Sequence, residues 1–203
     1  MNCRTPLLYL ASASPRRRAL LEQIGVPFAL STVAVDETLR PGESPEIYVL
    51  RLALDKARAG YARLPVATAD KAWVLGADTS ITVDQRILGK PRDQAEGLAM
   101  LECLSGTTHH VYTGVALVGK EQEGSRLSVS AVSFRSLSRE EREDYWCSGE
   151  PADKAGGYAI QGRGAMFISR LEGSYSGVMG LPLFETAELL RESGLGDLLG
   201  ASP

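Results

Sequence analysis

The spacing of apolar and polar positions changes several times along the chain, and each change marks an element. A short apolar run, Leu7 to Leu10, predicts a buried strand. Ser12 and Ser14 interrupt it, and Pro15 takes the first helical position behind Ser14 as N-cap. Leu20, Leu21 and Ile24 recur at helical spacing, and Gly25 stops them. Pro27 to Val33 predicts a second strand, and Asp36 and Glu37 lead into a polar loop through Pro41 and Gly42. Ser44-Pro45-Glu46 opens a helix with a stripe of Ile47, Leu50, Leu54 and Ala57, ended by Gly60, with Lys56 in its last turn. A loop from Tyr61 to Lys71 precedes the β-branched run Trp73 to Val83, a turn at Asp84-Gln85, and a return strand from Arg86 to Leu88.

Asp93 with Glu96, and Ser138 with Glu141, have the spacing of capping boxes. Leu98, Leu101 and Leu104 carry the first of those helices to Gly106. Thr107 to Val118 and Leu127 to Leu137 predict long strands around a Gly119–Gly124 turn, and Phe167 to Leu171 a further strand. Ser174 to Gly177 reads as a turn. Gly180-Leu181-Pro182 starts a last helix that buries Leu183, Ala187 and Leu190. Strands alternating with helices, with hairpins among them, predict an α/β fold: a mixed central sheet with flanking helices.

Composition narrows the class. The 203 residues are 44% hydrophobic and 23% charged, and no Pro/Ser-rich or charged linker divides them, so a single domain over 1–203 is expected. A net charge of −3 argues against a general nucleic-acid binder and makes any anion site local. No apolar run approaches the roughly 18 residues of a membrane span, and the N-terminus lacks a signal-peptide pattern. A cytoplasmic protein without a membrane partner is expected. Cys3, Cys103 and Cys147 are widely spaced and form no C-x-x-C, which predicts free thiols. His109 and His110 are adjacent and give little support to Ser-His-Asp or Cys-His chemistry.

Four features carry candidate chemistry. The helix behind Pro15 begins with Arg16, Arg17 and Arg18, although a cation at a helix N-terminus costs roughly 0.3–1 kcal/mol. Either the arginines point to solvent or a polyanion takes them together with the free N–H groups; in the second case losing Arg17 is neutral or stabilising to the empty protein. Asp78 is a carboxylate in an apolar strand, so it is either a paired structural acid or a catalytic one; Gly76 and Ala77, leaving room for a ligand, favour the second. Gly89-Lys90-Pro91-Arg92 holds two cations in a proline-stiffened loop, and the segment Asp153 to Ala165 is rich in glycine. Arg16, Arg17, Lys56 and Lys90 with Asp36, Glu37 and Asp78 are a parts list for nucleotide phosphoryl chemistry without a Walker motif. With no paired nucleophile, water is the expected attacker, oriented or deprotonated by a carboxylate.

Ser12-Ala13-Ser14-Pro15-Arg16-Arg17, Gly76-Ala77-Asp78-Thr79, Gly89-Lys90-Pro91-Arg92, Asp153-Lys154-Ala155-Gly156, Ile160-Gln161-Gly162 and Gly180-Leu181-Pro182-Leu183 occur in order between about Leu7 and Leu195. Together they resemble the Maf family of nucleoside triphosphate pyrophosphatases. The resemblance implies two lobes around a cleft, a fold related to the inosine triphosphate pyrophosphatases, and cleavage between the α- and β-phosphates. It implies Asp78 as the catalytic base, Ser12, Arg16, Arg17, Lys56 and Lys90 on the phosphates, and Glu37 with Asp78 on a divalent cation, Mg²⁺ or Mn²⁺. It also implies a homodimer.

The Arg-Arg after Ser-Pro, Thr79 and Gln161 are similar to the branch acting on dTTP and UTP, which makes Arg17, Thr79 and Gln161 specificity residues and leaves modified pyrimidine nucleotides in range. The branch preferring 7-methyl-GTP has an aromatic residue, glutamine and glutamate at those places. Ala13 stands where glycine is common in the family and changes no functional group. The rival expectation is a nucleotide-binding regulator of cell division without turnover, since the family name derives from inhibited septum formation.

Overall fold

A computed structural model describes residues 8–84 and 86–200; Cys3, Leu7 and Gln85 lie outside the described residues. Strand β1 (Leu8–Leu10) leads through the serine turn into α1 (Pro15–Gln23), and β2 (Ala29–Leu30) returns parallel to β1. The strand expected over Pro27 to Val33 is reduced to two paired residues, Ala29 and Leu30, at one end of the strand order. Helix α2 (Pro45–Ala62) starts where Ser44 Oγ accepts from the Ile47 N–H. It runs past Gly60, so Lys56 lies well inside the helix and not in its last turn. A short helix α3 (Val66–Ala69) follows, then β3 (Trp73–Val83) with the bounds that the β-branched run predicts.

The rest of the chain is β4 (Arg86–Leu88), α4 (Gln94–Leu104), β5 (Thr108–Val118), β6 (Glu123–Phe134), α5 (Arg139–Cys147), β7 (Ile168–Glu172), α6 (Tyr175–Met179) and α7 (Leu183–Glu192). The strands pair in the order β2-β1-β3-β5-β6-β7, with β4 on β3. β1 is parallel to β2 and β3, whereas β3–β4 and β6–β7 are antiparallel, so the sheet is mixed as expected. The capping box at α5 forms in full. At α4 only half forms: Asp93 accepts from the Glu96 N–H, while Glu96 turns to Arg92. The turn expected at Ser174 to Gly177 is the start of α6, held by a Gly177 N–H to Ser174 Oγ bond. None of the helices among the described residues is long and apolar enough to cross a membrane.

The chain divides into two compact units. One comprises Met1–Asp78, Thr113–Leu127 and Gly180–Pro203, the other Thr79–Tyr112 and Ser128–Met179. In the first unit α2 approaches β3 through small residues: Ala53, Ala57 and Gly60 are buried, whereas Ile47 of the expected stripe is 58% exposed. A methyl group at Gly76 would collide with the Ala53 carbonyl oxygen and stand 2.7 Å from the Ala57 nitrogen. The space that Gly76 leaves is therefore filled by helix backbone and not by a ligand. The second unit has an aromatic core in which Phe134, Tyr158, Phe167 and Tyr145 meet edge to face or tilted.

Candidate active site

Close contact between α2 and β3 brings Lys56 over Asp78. Lys56 Nζ lies 2.7 Å from Asp78 Oδ1 and 2.6 Å from Glu37 Oε1. The Lys56 and Asp78 side chains are only 12% and 11% exposed, while Glu37 is 54% exposed. Asp78 is thus paired, as a carboxylate in an apolar strand must be. Burial raises its proton affinity above the ordinary carboxylate value, and the nearby Lys56 and Arg17 charges pull the other way.

The first turn of α1, directly behind the serine turn, supplies the second cation. Ser14 occupies the N-cap position, but its side chain makes no cap hydrogen bond; instead its N–H donates to Ser12 Oγ at 3.2 Å. Ser12 Oγ also accepts from Arg17 Nη1 at 3.3 Å, and Arg17 Nε donates to the Gly180 carbonyl at 2.7 Å. Burial lowers the Arg17 pKa, the Asp78 and Glu37 charges oppose that, and neighbouring Arg16 adds to it. Arg17 therefore belongs both to the charged centre and to the framework, since its bond to Gly180 ties the start of α1 to the turn before α7. Arg16 is half-buried and Arg18 is exposed.

Glu37 is held from behind by groups that sequence reading missed. Tyr48 Oη donates to the Glu37 carbonyl at 2.9 Å. Arg51 forks onto Glu43 at 2.6 and 2.8 Å and donates to the Thr38 carbonyl at 3.1 Å. Both donors lie on α2, so the helix that carries Lys56 also fixes the loop that carries Glu37. A Tyr and an Arg on a helix, next to a polar loop, give no sequence signal for this. Asp36 accepts from the Thr38 N–H in a local turn and does not join the Lys56 centre.

Thr79, Lys90 and Gln161 fall in the other unit. Thr79 is half-buried on β3, directly after Asp78. Lys90 is exposed in a loop whose Gly89 carbonyl accepts from the Gly156 N–H at 2.9 Å. Gln161 is exposed in the glycine-rich segment.

In the Glu37–Lys56–Asp78 arrangement the groups that meet the positive charge are carboxylate oxygens. Two carboxylate oxygens converge on one positive charge, an all-oxygen pair of the kind that hard divalent cations take. Among the described residues no group of three or more His, Cys, Asp and Glu stands ready for a metal.

Fold and site define a mixed α/β protein whose centre is a buried acid, a lysine and an arginine gathered from three separate elements. The chain belongs to the Maf-like protein family, whose profile matches residues 7–193. A dTTP/UTP pyrophosphatase of Alkalilimnicola ehrlichii is 61% identical over 188 residues, covering 92% of this chain and 93% of that one. A dTTP/UTP pyrophosphatase of Saccharophagus degradans is 55% identical over 183 residues, covering 90% and 87%. Among solved structures, the Staphylococcus aureus Ham1 protein shares 15% identity over 63% of this chain and 71% of that chain, at a TM-score of 0.43.

Proposed function

We propose that this chain is a nucleoside triphosphate pyrophosphatase that hydrolyses dTTP and UTP to the monophosphate and pyrophosphate. The names carried by its relatives support the reaction, and the observation that carries the assignment of residues is the pairing of buried Asp78 with Lys56 and Glu37. Asp78 takes the proton of the attacking water. A carboxylate of raised pKa is a better base, while Lys56 and Arg17 keep it ionised. The water oxygen bonds to the α-phosphorus, the bond to the α–β bridging oxygen breaks, and pyrophosphate leaves. Ser12, Arg16, Arg17, Lys56 and Lys90 bind the phosphates, guanidinium forks and ammonium charges meeting the oxygens. Glu37 and Asp78 would hold Mg²⁺ or Mn²⁺, which when bound supplies positive charge that acidifies water and offsets the triphosphate.

Thr79 and Gln161 select the base. Uracil and thymine present an acceptor at O4 and a donor at N3, and one amide side chain meets both; cytosine reverses the pattern. UTP and dTTP are expected to exceed CTP by at least about tenfold in kcat/KM, the cost of one mispaired polar edge, and Gln161→Glu should narrow the gap. The test is a panel of nucleoside triphosphates with Mg²⁺ or Mn²⁺, reading pyrophosphate and orthophosphate separately. Orthophosphate as the product would mean a phosphatase, and stoichiometric UTP binding without turnover a regulator. On the family resemblance we further propose a homodimer, which sedimentation checks, and a cytoplasmic location, which fractionation checks.

A further inference from the structure

The segment that carries Gln161 has no strand or α-helix to hold it, yet its two ends are tied to a single pair of side chains. Tyr145, on α5 and 2% exposed, donates its hydroxyl to Glu150 Oε1 at 2.6 Å and accepts from the Ala159 N–H at 3.1 Å. Glu150 Oε2 accepts from the Arg163 N–H at 3.0 Å, and Oε1 accepts from the Gly164 N–H at 3.1 Å. Ala159 is thus fastened on one side, Arg163 and Gly164 on the other, with Ile160-Gln161-Gly162 spanning the gap. Ile160 is buried and Gln161 faces out. Gly162 sits at φ 150°, a conformation that side chains avoid, and a methyl group there would stand 2.8 Å from the Glu150 carboxyl carbon. The carboxylate is packed against the loop backbone so closely that only glycine fits. An ionised carboxylate accepts several N–H and O–H bonds at once, each stronger than a neutral bond.

We propose that Glu150, with Tyr145, is the positioning element for Gln161, and that the preference for uracil and thymine over cytosine depends on it. A free amide can satisfy either base by turning about its own Cγ–Cδ bond; a loop pinned at both ends sets where that amide stands and which backbone N–H and C=O groups lie beside it, so that one of its two orientations is the better matched. This rests on the reading above that Gln161 meets the base.

The experiment measures kcat/KM for UTP and CTP on wild type, Glu150→Gln, Tyr145→Phe, Gln161→Ala and the Glu150→Gln/Gln161→Ala double variant. Hydrogen exchange of the 159–164 peptide is followed in parallel. Glu150→Gln keeps the volume but turns an NH₂ toward backbone donors. The UTP-to-CTP ratio is expected to fall by about tenfold toward unity, with faster exchange in the loop. Tyr145→Phe should act in the same direction and carries the test if Glu150→Gln does not fold. The double variant should show the same ratio as Gln161→Ala alone, because a positioning residue has nothing left to position. An unchanged ratio in Glu150→Gln and Tyr145→Phe, or independent effects in the double variant, overturns the proposal. A wild type that does not distinguish UTP from CTP instead overturns the base-reading role beneath it.

Discussion

Asp78 carries a folding cost and, on the proposed reading, a chemical function as well. Its carboxylate is buried in β3 and stabilised by Lys56 at 2.7 Å. Asp78→Asn removes the proposed base with almost no change in volume. The expected result is a folded protein with less than about a tenth of wild-type turnover, since general-base catalysis contributes on the order of 10²–10⁴-fold. Circular dichroism and pyrophosphate release check the two halves of that statement. Arg17 corrects a simpler expectation. Removing a cation from a helix N-terminus gains roughly 0.3–1 kcal/mol, but leaving the Gly180 carbonyl without its donor costs about 1–3 kcal/mol. The second effect is larger, so Arg17→Ala should lower the melting temperature of the empty protein by a few degrees as well as weaken turnover. An unchanged melt would return Arg17 to a purely ligand-facing role.

At the scale of elements, the contact between α2 and β3 decides where the charges meet. The large residues of α2 suggest a stripe through Ile47, yet the face that touches the strand is Ala53, Ala57 and Gly60. Small residues let two backbones approach, and Gly76 completes the fit from the strand side. Gly76→Ala should therefore act through packing, forcing α2 away from β3 at a cost of about 1–3 kcal/mol. Because Lys56 moves with α2, turnover should fall together with stability, although residue 76 touches no substrate. Normal activity in a destabilised Gly76→Ala protein would show that the Lys56–Asp78 distance tolerates such a shift. Capping was far easier to anticipate. Ser138 and Glu141 form their reciprocal bonds because both partners lie within one turn and need nothing from the rest of the chain.

For the molecule as a whole, pH should act on stability through two groups outside the charged centre, one of them deeply buried. His109 is fully buried, with Nε2 2.8 Å from Tyr158 Oη. Burial, helped by the charge of His110, lowers its pKa from 6.5 to about 4. The unfolded chain therefore takes up a proton between pH 6.5 and 4 that the folded chain resists. Stability is complete above that window and declines as pH falls through it, by on the order of 3 kcal/mol. Glu43 acts lower: its hydrogen bonds to Arg51 bring it from 4.5 to about 2, so its contribution is present above pH 4.5 and is lost as pH falls toward 2. Urea unfolding from pH 4 to 8 should show the first decline, and His109→Gln, which keeps a partner for Tyr158, should flatten it. A slope that survives in His109→Gln would assign it to other groups.

The amino-acid sequence by itself determined whatever depends on near neighbours. The bounds of β3, the Ser138 cap, the mixed α/β class and the family follow from periodicity and from motifs a few residues long. It also marked Asp78 as a residue needing a partner, because desolvating a carboxylate is costly wherever the strand is placed. It did not say which cation answers. The sequence places Lys56 in the last turn of its predicted helix with nothing local to pair it, and only the close approach of α2 to β3 buries it against Asp78 and Glu37. Arg17 to Gly180 spans 163 residues, and Glu150 to Gly164 joins two short 3₁₀ helices. Such bonds leave no local pattern, since a hydrogen bond needs atoms within about 3 Å and the chain alone does not bring distant ones together.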